Sequence, residues 1–131
     1  MCIRDRLYPH VAQVLLHLGA VRERLGAWEE AELLYRRAVE EGRELPQAHK
    51  SLGDALYRRG AYDEAAAAYG RALELAPAGG EDAWFKLGNI RYKTGDREEA
   101  VRCWREALAR NPENGIARTN LELVERVLEG A

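Results

Sequence analysis

Apolar residues recur along the chain with the three- and four-residue spacing of helices that bury one face. One such series, at positions i, i+3, i+4 and i+7, consists of His49, Leu52, Gly53 and Leu56. After Gly60, a second series with the same period runs through Tyr62, Ala65, Ala66, Tyr69, Ala72 and Leu73. The pattern predicts two amphipathic helices separated by a short turn.

The same pair of helices recurs three times in the sequence. Three Leu-Gly pairs lie 34 and then 35 residues apart, and a second glycine follows each first glycine by seven residues. An alanine, an aromatic residue and a further alanine then follow at fixed distances in each copy. The repeated positions are Leu18-Gly19, Leu52-Gly53 and Leu87-Gly88; Gly26, Gly60 and Gly95; Ala31, Ala65 and Ala100; Tyr35, Tyr69 and Trp104; and Ala38, Ala72 and Ala107.

Each copy also carries signals that begin and end helices. Gly26, Gly60 and Gly95 are placed to end each first helix, and Pro77 and Pro112 are placed to end a second helix. Acidic pairs at the start of each second helix suit the helix dipole. Those pairs are Glu29-Glu30, Asp63-Glu64 and Glu98-Glu99.

The repetition has a packing reason, because a single helical hairpin cannot bury its apolar face and successive copies must stack. We expect helix backbones to approach closely at Gly19, Gly53 and Gly88. We expect aromatic side chains to fill the wider gaps. Those side chains are Tyr35, Tyr69, Trp84 and Trp104.

Composition supports an all-α class and narrows the range of partners. Charged residues make up 32% of the chain, and Ala, Leu, Glu and Arg dominate, as is typical of exposed helices. Pairs such as Glu32 with Arg36 and Glu98 with Arg102 lie one turn apart, as on a solvated helix face. The formal net charge is −2 with both signs interleaved. No strong positive field is therefore available to attract nucleic acid, and we expect no such partner.

Residues that usually carry chemistry are few and scattered. Cys2 and Cys103 are lone thiols, and the three histidines complete no ligand set. No nucleophile and base occur in a catalytic constellation, and the sequence contains no phosphate-binding glycine loop. The longest apolar run, residues 14–18, is too short to span a bilayer. We expect a cytoplasmic protein that is not an enzyme, holds no metal or cofactor and has no membrane partner.

The repeated unit resembles a tetratricopeptide repeat, whose 34-residue pattern runs from a Trp through Leu-Gly, Tyr, Gly, Ala, an aromatic residue and Ala to a Pro. The third copy carries this pattern as Trp84, Leu87, Gly88, Tyr92, Gly95, Ala100, Trp104, Ala107 and Pro112. His49 and Leu15 replace the Trp in the second and first copies, and Arg43 replaces the Pro in the first. The resemblance implies an all-α, right-handed α-solenoid of about three helix-turn-helix repeats plus a C-terminal capping helix.

The copies divide the chain into segments. The segments are 12–45 for repeat 1, 46–80 for repeat 2, 81–114 for repeat 3 and 115–131 for the capping helix. Residues 1–11 are interpreted as a non-native or truncated start that retains a remnant of a preceding repeat. The first helix supports this, because its apolar residues, including Val14 and Leu18, lie nearly all round it, as in a helix between two neighbours.

The capping helix carries two apolar stripes. One stripe, which includes Ala117 and Val124, is expected to face repeat 3. The other is not required of a cap and is expected to face a partner. Its residues are Ile116, Leu123 and Val127.

The resemblance also implies a concave groove, lined by the first helices of successive repeats, that holds a peptide segment of another protein. The candidate groove residues are Lys50, Asp54, Tyr57, Arg58, Phe85, Asn89, Tyr92 and Lys93, with Gln13, Leu16 and Gln47 on the same predicted face. The rings offer stacking area, the basic groups can bind carboxylates, and Asn89 can hydrogen-bond a peptide backbone. An alternative stays open, in which the basic side chains are merely solvated and the tyrosines pack between repeats.

One subtype of this groove is disfavoured by the sequence. Chaperone-binding members of the family hold a terminal carboxylate with Lys and Asn on a first helix, Asn on the next, and Lys with Arg on the third. The corresponding positions here are Leu16, Ala20, Ser51, Asp82 and Lys86. Only Lys86 keeps the required charge, so a carboxylate clamp is not expected.

Two functions remain open. The chain is interpreted as a noncatalytic protein-protein interaction scaffold that binds a peptide of an unidentified partner. The alternative is a C-terminal repeat segment of a larger protein whose catalytic or signalling domain lies outside this chain. RNA binding by a related helical repeat is disfavoured, because the chain lacks a basic stripe.

Overall fold

The computed structural model describes residues 10–130, and this part of the chain folds into seven α-helices without a strand. The helices are α1 (Val11–Arg24), α2 (Trp28–Glu41), α3 (Pro46–Arg59), α4 (Tyr62–Leu75), α5 (Glu81–Lys93), α6 (Arg97–Arg110) and α7 (Gly115–Gly130). Residues 1–9 of the predicted segment 1–11 lie outside the described part of the chain. The interpretation of this segment as a truncated start therefore stays a prediction.

The chain forms two compact units that divide after Leu75. The first unit contains α1 to α4, and its buried clusters consist of Leu15, Ala38 and Ala48 and of Ala31, Tyr35 and Ala55. The second unit contains α5 to α7, and its buried cluster consists of Ala100, Val101, Trp104 and Val124. Alanines are prominent in both cores, so helices can lie close together within each unit.

Each first helix of a pair is followed by a glycine in the left-handed region, as the sequence predicts. The φ angles are 79° at Gly26, 85° at Gly60 and 95° at Gly95, a conformation that glycine adopts without steric cost. The residue after each glycine donates its N–H to a carbonyl five positions earlier, from Ala27 to Arg22, from Ala61 to Leu56 and from Asp96 to Arg91. These bonds satisfy the last carbonyls of the helix and reverse the chain.

The Leu-Gly glycines make a different contact from the one expected. The distance from a Cβ built at the glycine to the nearest ring atom is 2.4 Å for Gly19 with Tyr35, 2.9 Å for Gly53 with Tyr69 and 2.5 Å for Gly88 with Trp104. Each ring belongs to the second helix of the same pair, sixteen positions later in the sequence. The expectation that these rings fill wider gaps is therefore wrong, because each ring occupies the space that a missing Cβ leaves.

Charged side chains pair along the helix surfaces, with one difference from the predicted pairs. The predicted pair of Glu32 with Arg36 is present, with Oε2 and Nη2 3.1 Å apart. Arg102, however, pairs with Glu99 at 3.5 Å, not with Glu98 as predicted. Spacings of three and four residues both bring side chains together on a helix, so the sequence alone did not separate the two carboxylates.

Glu32 also connects three helices of the first unit. Its Oε1 accepts a hydrogen bond of 2.8 Å from Nε of Arg59 on α3, and Arg36 in turn reaches Glu64 on α4 at 3.1 Å. The hydrogen bond from Arg59, more than any other interaction, lowers the pKa of the Glu32 carboxyl below its ordinary value of 4.5. The carboxylate of Glu32 therefore stabilises the folded form only while it stays ionised.

Replacing Glu32 with glutamine is expected to lower the urea midpoint at neutral pH. Because the pKa of Glu32 is lowered on folding, its contribution is present above pH 4.5 and is lost as the pH falls through the lowered pKa. The difference between wild type and variant should therefore shrink in acid. Urea denaturation followed across pH checks this, with Glu40→Gln, an exposed acid on the same helix, as the control that should change little. Equal midpoints for wild type and Glu32→Gln at neutral pH would contradict the prediction.

Helix α7 keeps both of its predicted apolar stripes. Ala117 and Val124 are buried, whereas Ile116, Leu123 and Val127 are 66%, 56% and 53% exposed. The first stripe packs against the rest of the second unit, as expected of a capping helix. The second stripe is exposed. That a partner covers the second stripe stays a prediction.

Within the described residues, helix α1 is buried on one side and exposed on the other. Ala12, Leu15 and Gly19 face the interior, while Val14 and Leu18 are exposed. One apolar side of α1 is therefore left uncovered within residues 10–130, and that a preceding repeat would cover it stays a prediction.

Of the helices formed by residues 10–130, none combines the length and the apolar character needed to cross a lipid bilayer.

Candidate functional site

A cleft of about 260 Å³ lies between α1 and α3, the first helices of two successive pairs. Its lining consists of Gln13, Leu16, His17, Gln47, Lys50 and Ser51. Four of these residues belong to the face that the sequence predicts for the groove. Leu16 provides an apolar wall, and the amides, the ammonium and the hydroxyl offer donors and acceptors. The cleft therefore combines apolar surface with several hydrogen-bonding groups, as ligand sites do.

One polar atom of this cleft stands out. The side-chain oxygen Oε1 of Gln13 is buried and accepts no hydrogen bond from any residue in the described part of the chain. Buried polar atoms in folded proteins are nearly always paired, and an unpaired one costs roughly 1–3 kcal/mol. A ligand donor would satisfy this acceptor if the Gln13 side chain turned its oxygen toward the cleft.

Lys50 is tied to the core through Asp54. The Nζ atom of Lys50 lies 3.0 Å from Oδ2 of Asp54, and the hydroxyl of Tyr69 donates a 2.5 Å hydrogen bond to Oδ1 of the same carboxylate. The Tyr69 ring is the one that contacts Gly53. Lys50 and Asp54, both predicted groove residues, are therefore held in place by the packing of α3 against α4.

Tyr57 and Arg58 make contacts away from this cleft. Tyr57 packs its ring edge-on against Tyr62, with centroids 5.8 Å apart. The guanidinium carbon of Arg58 lies 3.2 Å from the centroid of the Trp28 ring, a cation–π arrangement. Neither residue lines the cleft between α1 and α3, although both were predicted to share its face.

Trp28 is a residue that the sequence reasoning missed. It opens α2 at the position that Tyr62 and Arg97 take in the other two copies. The available signal was a large aromatic ring at the start of the second helix of the first copy, together with two arginines at the end of the first helix of the next copy. That signal names no partner for the ring, which the structure identifies as Arg58.

The second unit places its four predicted groove residues on α5 as follows. Phe85 packs against the buried cluster that contains Trp104, and Oδ1 of Asn89 accepts a 3.1 Å hydrogen bond from Nε1 of Trp104. Tyr92 lies 6.0 Å from the Trp104 ring between centroids and is 47% exposed. Lys93 is exposed in the last turn of the helix. Phe85 and Asn89 thus support the core, and Tyr92 and Lys93 are the more exposed members.

Two kinds of group within residues 10–130 could carry chemistry, namely potential metal ligands and the thiol of Cys103. Within residues 10–130, no three His, Cys, Asp or Glu side chains come together as metal ligands. Cys103 is buried, and that burial, aided by the nearby Glu99 carboxylate, raises the pKa of its thiol to about 12. Cys103 is therefore protonated at neutral pH and behaves as a packing residue, in the role predicted from the sequence.

Comparison with protein families finds one kind of repeat throughout. Two models described as tetratricopeptide repeat match residues 14–47 and 81–114, and a third, described as TPR repeat, matches residues 53–95. Together the matches span most of the described helices. The comparison with curated protein sequences gives no match.

Solved structures share the fold. The first TPR domain of Spaghetti (RPAP3), bound to an HSP90 peptide, is 22% identical with a TM-score of 0.84, over 91% of this chain and 94% of that one. MamA is 22% identical with a TM-score of 0.84, over 95% of this chain and 72% of that one. YrrB, described as a TPR protein with an unusual peptide-binding site, is 25% identical with a TM-score of 0.74, over 82% and 55%. The expected all-α helical-repeat class is confirmed.

Proposed function

Because the chain belongs to the tetratricopeptide repeat family, a family of protein-interaction scaffolds, we propose that it is noncatalytic and holds a peptide segment of a partner protein in the cleft between α1 and α3. On the second unit, Tyr92 and Lys93 are the exposed members of the predicted groove. We propose that they contact the partner as well.

The observation that carries this proposal is the buried, unpaired Oε1 of Gln13. An extended peptide presents N–H donors and C=O acceptors at every residue. Gln13 accepts one donor, while Gln47 and Ser51 on the opposite wall can pair with neighbouring peptide groups. Leu16 contacts an apolar side chain of the same segment. These features favour a peptide backbone over a small isolated anion.

The chemistry of the cleft argues against a terminal carboxylate as its main ligand. The Spaghetti domain is bound to an HSP90 peptide, whereas here Leu16 stands where a clamp would have Lys. Lys86 pairs with Asp82 at 3.1 Å, and Lys50 pairs with Asp54. The ammonium groups that a clamp needs are thus already partly neutralised. We propose that the cleft takes an internal segment of its partner.

Peptide display on the wild-type chain, followed by fluorescence polarisation with a selected acidic peptide, tests the proposal. Gln13→Leu removes the acceptor at similar size, and Lys50→Glu with Lys93→Glu reverses two charges. Each is expected to weaken binding by about tenfold or more, because a charged or buried hydrogen bond is lost. Circular dichroism should show that both variants remain folded.

The matched control is Arg37→Gln, which removes an exposed charge of α2 outside the cleft. Its affinity for the selected peptide should equal that of the wild type. Unchanged affinity in Gln13→Leu and in the double lysine variant would refute the assignment of the cleft.

A further inference from the structure

A second cavity of the first unit, of about 360 Å³, lies between α2 and α3. Its lining consists of Trp28, Glu29, Glu32, Ala55, Arg58 and Arg59. It shares no residue with the cleft between α1 and α3. Its volume falls within the ~300–1,000 Å³ typical of ligand pockets. This cavity is therefore a second candidate binding site, separate from the cleft.

Arg58 is held in this cavity by stacking, not by an ion pair. Its guanidinium carbon lies 3.2 Å from the Trp28 ring centroid. Among the described residues, its guanidinium has no carboxylate within 4 Å, whereas the adjacent Arg59 binds Glu32 at 2.8 Å. Stacking uses the face of the guanidinium and leaves its planar edge of N–H donors available. Arg58 is thus oriented and able to bind an acceptor with two parallel hydrogen bonds.

The residues around Arg58 select the kind of acceptor. Glu32 is neutralised by Arg36 and Arg59, but Glu29 has no ion-pair partner among the described residues and also lines the cavity. A dianion would double both its repulsion from Glu29 and its attraction to Arg58, so apolar contact must separate a phosphate from a carboxylate. The 37% exposed Trp28 ring and Ala55 add apolar surface. The lining therefore suits a carboxylate on a short hydrocarbon stem.

We propose that this cavity binds a Glu or Asp side chain of a partner protein. The carboxylate receives two hydrogen bonds from Arg58, and the methylene groups of the ligand lie against Trp28. The site is independent of the proposed peptide cleft, because no residue is shared between them. It gives the first unit a separate contact with acidic segments.

Two-dimensional ¹H–¹⁵N NMR of the full chain tests the proposal through the indole N–H of Trp28 and the Nε–H of Arg58. Titration with acetyl-Gly-Glu-Gly-amide should shift both signals saturably, and acetyl-Gly-Gln-Gly-amide should not. Arg58→Lys keeps the charge but loses the planar fork, so affinity should fall by about tenfold. Arg58→Gln should abolish the shift of the Trp28 signal while the remaining spectrum stays folded.

Controls separate this site from the peptide cleft and from non-specific charge. Lys50→Gln, in the cleft, and Arg37→Gln, on the surface of α2, should leave the titration unchanged. Loss of the Trp28 shift in Lys50→Gln would place the peptide in the cleft and overturn the proposal. Equal shifts with the Gln peptide would also overturn it, as would saturable binding of inorganic phosphate with equal affinity.

Discussion

Replacing Gly19 with alanine is expected to lower the free energy of unfolding by about 1–3 kcal/mol. The new Cβ would lie 2.4 Å from the ring of Tyr35, and that ring is only 3% exposed. Because the ring is enclosed, it cannot move aside without disturbing the core. The loss should appear even though alanine favours a helix over glycine by about 1 kcal/mol. Urea denaturation followed by circular dichroism measures the change.

Gly70→Ala is the matched control, since it makes the same change within a helix of the same unit. A Cβ at Gly70 on α4 meets no atom within 4 Å. Only the helix propensity then changes, and stability should rise by about 0.5–1 kcal/mol. Opposite signs at the two positions are the expected result. A stabilising Gly19→Ala would show that the close contact with the ring is not present in solution.

Replacing Trp104 with alanine is expected to lower the free energy of unfolding by about 3–5 kcal/mol. Its side chain is 2% exposed and forms the buried cluster with Ala100, Val101 and Val124. Its indole N–H also donates to Asn89, so truncation leaves both a cavity and an amide without its donor. The same denaturation measurement checks this value.

The Trp104 variant also tests the contact with Gly88. In wild type, Gly88→Ala should be destabilising, because its Cβ would lie 2.5 Å from the indole. In the Trp104→Ala background the ring is absent, and Gly88→Ala should become neutral or stabilising. Additive effects in the double variant would contradict the contact. If Trp104→Ala does not fold, the cycle can be built on Trp104→Leu, which keeps part of the volume.

The helices were predictable because their signals are local. The signals are the apolar period, a glycine after each first helix and acidic residues at the start of each second helix, and each lies within about ten residues of sequence. The helices begin and end at these signals. The contact of Gly19 with Tyr35 was not predictable in the same way. The spacing of sixteen residues recurs in every copy, but periodicity states which residues face inward and not which two of them touch.

The sequence predicted the face on which the candidate site residues lie, but not the contacts of every side chain. Gln13 and Lys50 were assigned to one face from the family resemblance together with helical spacing, and they line one cleft. Arg58 was assigned to that face too, yet it lies over Trp28. The end of a long, flexible side chain can reach several surfaces, so helical position does not determine its contact. The choice of Glu99 over Glu98 by Arg102 has the same origin.

The pairing of each Leu-Gly glycine with an aromatic ring has a consequence for how such chains can grow. Both partners lie within one hairpin, so duplicating a 34-residue segment copies a complete set of complementary shapes. A Tyr ring serves in two hairpins and a Trp ring in the third, which shows that the partner can vary while the glycine stays. Gain or deletion of whole hairpins therefore leaves this internal fit intact, whereas a crossover between the two helices of a hairpin brings together partners from different copies.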